Sequence, residues 1–150
     1  MNKSIDNFTD IQRKKEAKKL FKIAVDYLKL KSAEIEKSRE LFAEYLKWNK
    51  SDWDVNTMVY EKIGDAYNKY SKNNINYKSE AEANYKKVFD YYFINKDKTD
   101  LLAETYRYGL AKCYLKGMGT AVSKEKSYEM FESWYEYISV KSLEYNRKLT

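Results

Sequence analysis

The chain has no histidine, no proline, a single cysteine and only four glycines among its 150 residues. The lack of histidine removes the commonest metal ligand and the usual general base. The single cysteine, Cys113, excludes an internal disulfide, and without an imidazole to activate it we interpret it as a small buried side chain. We therefore expect no enzyme, no cofactor, no metal site and no catalytic residue.

Long apolar runs are also missing. No stretch approaches the roughly eighteen consecutive apolar residues of a membrane-spanning helix. The first residues carry neither the apolar segment nor the small-residue cleavage site of a secretory signal. We expect a cytoplasmic protein without a membrane partner.

Charged residues are abundant and of both signs. Basic residues number 29 and acidic residues 23, which gives a net charge of +6. This balance permits an acidic protein or a nucleic acid as partner, although much of the charge is typical of solvated helix surface. Arginine, which is expected at base contacts, is scarce, so nucleic acid is the less favoured partner. The length favours one domain, residues 1–150.

Apolar residues recur at helical spacing in six segments, and the lack of proline leaves each free to be a helix. The six stripes lie within Leu20–Leu28, Leu41–Leu46, Val59–Tyr67, Tyr85–Tyr92, Ala103–Tyr114 and Phe131–Ile138. They predict an all-α fold of roughly six amphipathic helices.

The helices follow a repeating pattern. The segments KIAVDYLKL (22–30), KIGDAYNKY (62–70) and GLAKCYLKG (109–117) align without a gap, with a small residue third and a tyrosine sixth. The period is about forty residues, as in arrays of helical hairpins. It predicts three hairpins, at about 11–49, 52–94 and 100–138, followed by a C-terminal cap at 139–150.

Each part of the repeat has a physical reason. The small residue, Ala24 in the first hairpin, lets the partner helix approach closely. The aromatic residue of the second helix, Phe42 in that hairpin, fills the space beside it. Predicted helix starts are Ser32, Ser51 with Asp54, Asp100 and Ser123.

The segment LAKCYLKGMGTAVSKEKS (110–127) is similar to a SEL-one-like repeat, the branch of the tetratricopeptide (TPR) superfamily with the pattern LGxxYxxGxGVxxDxxKA. The spacings from Tyr114 to Gly117 and Gly119, and on to Lys126, are kept. The earlier hairpins match only the shared TPR core. The resemblance implies an α-α superhelix, or solenoid, of three TPR/SEL-one-like hairpins. A glycine-rich phosphate loop follows a strand, so we interpret Gly117 as a left-handed helix end instead.

Partners of such arrays dock on a concave surface formed by the first helix of each hairpin. Carried over by position, the resemblance places there Phe21, Val25, Leu28, Lys29, Met58, Glu61, Asp65, Asn68, Lys69, Tyr108, Lys112, Leu115 and Lys116. The lysines Lys29, Lys69 and Lys116 hold corresponding positions. They form either a basic column that reads an acidic peptide or phosphate backbone, or cations that complement helix dipoles.

The resemblance implies a non-enzymatic adaptor or regulator that binds a partner helix or extended peptide, including an acidic one. The alternatives are a bacterial immunity protein that masks a toxin, and a basic nucleic-acid-binding repeat protein. The last segment, Val140–Thr150, keeps helical spacing and either extends the last helix or folds over its open end. An open end would favour weak homo-oligomers.

Overall fold

The computed structural model describes residues 5–28, 35–49, 53–100 and 102–149. Within these ranges the protein is all-helical, with six α-helices and no β-strand. The helices are α1 (Asp10–Leu28), α2 (Ile35–Trp48), α3 (Trp53–Tyr70), α4 (Ile75–Asn95), α5 (Ala103–Lys116) and α6 (Lys124–Leu149). Short 3-10 helices lie at Ile5–Asn7 and Ser71–Asn73. The predicted all-α fold with six helices is confirmed for these ranges.

The chain divides into two compact units, residues 1–81 and 82–150. The first contains α1, α2, α3 and the start of α4. The second contains the remainder of α4 with α5 and α6. The repeat boundaries and the superhelix stay predictions. The predicted caps Ser32 and Ser51 lie outside the described residues, as does the side chain of Asp54.

A capping box fixes the start of α1. The Gln12 backbone N–H donates to Thr9 Oγ1 (3.2 Å), and the Thr9 N–H donates to Gln12 Oε1 (2.9 Å). Two of the N–H groups that a helix start leaves unpaired are thereby satisfied. The sequence TDIQ carries the signal for this box, although Thr9 is not among the predicted helix starts.

The turn from α5 to α6 has the predicted form. Gly117 ends α5 with a φ of 70° in the left-handed region, and its N–H donates to the Cys113 carbonyl. Ser123 then caps α6, because its Oγ accepts the Lys126 N–H at 3.2 Å. Ahead of α5, the predicted Asp100 accepts the Leu102 N–H at 2.9 Å. The predictions for Gly117 and Ser123 are confirmed. Asp100 is not the cap of α5, because Leu102 holds that position and makes no side-chain cap hydrogen bond.

The two hairpins α1/α2 and α5/α6 are closed by the same buried hydrogen bond. Ser38 Oγ of α2 donates to the Ala24 carbonyl of α1 at 2.8 Å. Ser127 Oγ of α6 donates to the Ala111 carbonyl of α5 at 2.9 Å. All four residues are buried, so a small side chain on one helix and a serine on the other permit close helix approach in both hairpins.

Helix α6 is longer than its partner. It has 26 residues against 14 in α5, which corresponds to lengths of about 39 and 21 Å. Every residue from Val140 to Leu149 is exposed. Of the two alternatives for this segment, the structure shows extension of the last helix. Among the described helices, none combines the length and apolar character required to cross a bilayer.

Candidate functional site

An open groove of about 670 Å³ runs along α1 in the first unit. Its described lining consists of Lys15, Lys18, Lys19, Phe21, Lys22, Val25 and Asp26. The residues recur at helical spacing, so they share one face of α1. Two of them, Phe21 and Val25, belong to the surface that the sequence resemblance predicts.

We term this groove the α1 groove. Aromatic packing against α2 fixes the position of its floor. The Phe21 ring packs against the rings of Phe42 and Tyr45 on α2, with centroids 5.8 and 5.5 Å apart. Phe21 and Val25 are half-buried. The position of Phe21 is therefore fixed by the hairpin core, while part of its side chain borders the groove.

The rim of the α1 groove is strongly basic. Lys15, Lys18, Lys19 and Lys22 are all exposed, and none forms an ion pair within the described part of the chain. Like charges three and four residues apart destabilise a helix by a few tenths of a kcal/mol for each pair. An acidic ligand would relieve this repulsion, because its charges would lie between the ammonium groups.

The second hairpin repeats the aromatic packing of the first. The Tyr108 ring lies 5.7 Å from Phe131 and 5.3 Å from Trp134. Relative to the small residues Ala24 and Ala111, the positions of Phe21 and Tyr108 are equivalent. In both hairpins the aromatic residue of the second helix packs against the residue three positions before the small one. Its predicted place beside the small residue itself stays a prediction.

Two smaller pockets occupy equivalent places in these hairpins. One, of about 210 Å³, lies beside Phe21 and Tyr45 and is bordered by Met58 of α3. The other, of about 280 Å³, lies beside Tyr108 and Trp134. Met58 and Tyr108, both predicted site residues, therefore border cavities.

The remaining predicted site residues lie on α3 and α5. Exposed members are Asp65, Asn68, Lys69, Leu115 and Lys116, and half-buried members are Glu61 and Lys112. The Leu28 side chain and Lys29 lie outside what is described. Lys69 and Lys116 each stand in the last turn of their helix, where a cation complements the helix dipole. The proposed lysine column stays a prediction.

The buried polar chemistry of the first unit is structural. The Tyr67 hydroxyl donates to Glu36 Oε1 at 3.0 Å, which ties α3 to α2. Burial, and then this hydrogen bond, raise the pKa of Tyr67 far above its ordinary value.

Cys113 is buried, as expected. No group of acidic or cysteine side chains suited to a metal ion is present among the described residues.

The groove lysines are not among the site residues predicted from the sequence. The sequence has basic residues at positions 15, 18, 19 and 22, a spacing that places them on one side of the helix, away from the apolar core positions. Without the structure it could not be separated from ordinary solvated helix surface.

The chain was compared with protein-family models, with curated proteins and with solved structures, and none of the three comparisons found a match.

Proposed function

We propose that this protein is a non-enzymatic protein-binding module, of the adaptor or regulator kind, whose α1 groove receives an acidic amphipathic helix. The observation that carries the proposal is the combination of a basic rim, free of ion pairs in the described structure, with a partly exposed apolar floor. A helix-in-groove ligand supplies both matching features, because its apolar face fills the floor and its charges meet the rim.

The dimensions of the α1 groove suit such a ligand. Its lining residues run from Lys15 to Asp26, a span of about 17 Å or three helical turns. Phe21 and Val25 lie one turn apart, so two apolar anchors on successive turns of a ligand helix can reach them. Lysine stems add apolar contact while their ammonium groups remain in water.

We also propose that the helices form a TPR/SEL-one-like array of three hairpins and that the protein works in the cytoplasm. Support comes from the repeated Ala–Ser hydrogen bond and the repeated aromatic packing in the hairpins α1/α2 and α5/α6. The groove includes Phe21 and Val25, which the resemblance assigns to the partner-binding surface.

Peptide binding tests the proposed function. A dye-labelled synthetic helix with leucines on one face and glutamates on the other is titrated with the protein, and fluorescence anisotropy is measured. We expect binding that Lys18→Glu with Lys22→Glu weakens by about tenfold or more, because two attractive charge contacts become repulsive. The variant Lys72→Glu with Lys78→Glu makes the same change in net charge away from the groove and should bind normally.

A second peptide replaces every glutamate by lysine and keeps the leucines. Equal binding of both peptides, or normal binding by the groove variant, would contradict the proposal. RNA and DNA oligonucleotides are measured at two salt concentrations beside them. If they bind through the same lysines while the acidic peptide does not, the groove is a nucleic-acid site instead.

A further inference from the structure

A second exposed surface on this chain has the chemistry that the α1 groove requires. Helix α6 exposes Tyr128 and Tyr135, which are 65% and 68% accessible. Four exposed glutamates surround them, namely Glu125, Glu129, Glu132 and Glu136. We term this set the α6 acidic face.

The α6 acidic face and the α1 groove have the same spacing. At the same spacing, Lys15, Lys19 and Lys22 of the groove correspond to Glu125, Glu129 and Glu132 of the acidic face, and Val25 corresponds to Tyr135. Lys18 corresponds to Tyr128, and Asp26 corresponds to Glu136. Each set spans twelve residues, or about 17 Å of helix. The two surfaces therefore have equal length and carry opposite charges at three corresponding positions.

The charges of the two surfaces are complementary. The groove carries four lysines and Asp26, and the α6 acidic face carries four glutamates. None of these lysines or glutamates forms an ion pair within the part of the chain that is described. The neighbouring Lys126 lies over the Tyr114 ring on α5, 5.6 Å from its centroid. The face is thus left acidic.

The apolar parts are also complementary. Neither the Tyr128 ring nor the Tyr135 ring packs against another described aromatic ring. Tyrosine combines a large apolar surface with a hydroxyl that tolerates water, and it loses little side-chain entropy on binding. Phe21 and Val25 offer the floor that such rings can cover.

We propose that the α1 groove of one molecule binds the α6 acidic face of a second copy. This inference rests on the proposed function, since it names an occupant for the same groove. The two surfaces are different, so the contact is heterologous, and every added copy leaves one groove and one acidic face unused. Assembly therefore continues head to tail, or closes into a ring.

The test is sedimentation velocity of the full chain across a concentration series. Two variants reverse one surface each: Lys18→Glu with Lys22→Glu for the groove, and Glu129→Lys with Glu132→Lys for the acidic face. We expect wild type to form species larger than a dimer, and each variant alone to require at least tenfold higher concentration. An equimolar mixture of the two should assemble again, because each reversed surface meets an opposite one.

Matched controls make the same changes in net charge elsewhere. Lys72→Glu with Lys78→Glu controls for the groove variant, and Glu82→Lys with Glu144→Lys for the other, and both should assemble like wild type. Circular dichroism checks that each variant is helical, and Lys18→Gln with Lys22→Gln supplies a milder groove variant. Raising the salt concentration should weaken assembly, since the charges are exposed.

A wild type that stays monomeric at all concentrations overturns this inference, as does a mixture of the two variants that fails to assemble. The peptide titration is run at concentrations where the chain is monomeric, so the two proposals fail separately. Peptide binding without self-association leaves the proposed function standing. If neither variant weakens self-association and the peptide does not bind, both the proposed function and this inference are contradicted.

Discussion

Two glycines with nearly the same backbone conformation have different surroundings. Gly117 and Gly119 have φ values of 70° and 69°. A Cβ on Gly117 would lie 2.9 Å from the Val122 side chain, which can move. A Cβ on Gly119 would meet the Tyr85 carbonyl and lie 2.8 Å from the Lys86 Cα, and this backbone belongs to α4. Gly119 therefore serves both the turn and the close approach to α4.

We predict that Gly119→Ala destabilises the protein more than Gly117→Ala. The left-handed conformation costs an alanine about 1 kcal/mol at either position. The clash with α4 backbone adds to this at Gly119, for a total of about 3 kcal/mol. Urea denaturation of both variants measures the difference, and equal losses would show that the contact with α4 contributes nothing.

Tyr67 is the second residue whose surroundings set a measurable property. Its raised pKa means that the folded protein holds the phenolic proton more tightly than the unfolded chain. The associated stability is fully present below the unfolded value near 10. It is lost as the pH rises from there toward the folded pKa.

We predict that the free energy of unfolding falls above about pH 10 and that Tyr67→Phe reduces this fall. The other tyrosines titrate in the same range, so the informative quantity is the difference between wild type and variant. At neutral pH, Tyr67→Phe should cost about 1 kcal/mol through loss of the hydrogen bond to Glu36. Identical pH profiles for the two proteins would contradict the assignment.

At the scale of the helices, the hairpins α1/α2 and α5/α6 use one packing solution twice. In each, a serine four residues ahead of the second-helix aromatic residue bonds the carbonyl of the small residue on the first helix. The aromatic side chains then cover the next turn, as Phe21 does with Phe42. Because both serines and both small residues are buried, the hydroxyl has no water to replace its partner.

Ser38→Ala and Ser127→Ala should each lower the free energy of unfolding by about 1 kcal/mol, the typical net contribution of a buried hydrogen bond. Ser139→Ala is the matched control. Its hydroxyl also bonds a helix carbonyl, but that of Tyr135 on its own helix at an exposed position. If Ser139→Ala lowers the free energy of unfolding as much as the other two variants, the hydrogen bond between helices stabilises the protein no more than one within a helix.

At the scale of the whole molecule, two stretches of the chain differ in the sign of their charge. Residues 13–22 contain six basic side chains and one acidic one, and residues 125–136 contain four acidic and one basic. The first stretch has a net charge of +5 and the second a net charge of −3, so the overall charge of +6 conceals segments of opposite sign. Long-range repulsion between copies arises from the net charge, whereas the proposed head-to-tail contact depends on the local segments. Added salt separates the two effects, because screening the repulsion favours association whereas screening the attractive contact weakens it.

Local signals were sufficient for most of the secondary structure. The helical stripes, the left-handed Gly117 and the Ser123 cap depend on residues a few positions apart, so the sequence contained them completely. The small and aromatic positions of the hairpins were also readable, because they recur with the repeat. The capping box of Thr9 and Gln12 was equally local.

By itself, the sequence determined that the described chain is helical, that α5 ends at Gly117 and Ser123 caps α6, and that Ala24 and Ala111 lie between paired helices. Only the tertiary structure decided that Lys15, Lys18, Lys19 and Lys22 border an open groove, and that Gly119 lies against the α4 backbone. The physical reason is that exposure and backbone contact depend on residues distant in sequence. A lysine on a solvated helix and a lysine on a groove rim have the same local pattern, and only the packing beneath them differs.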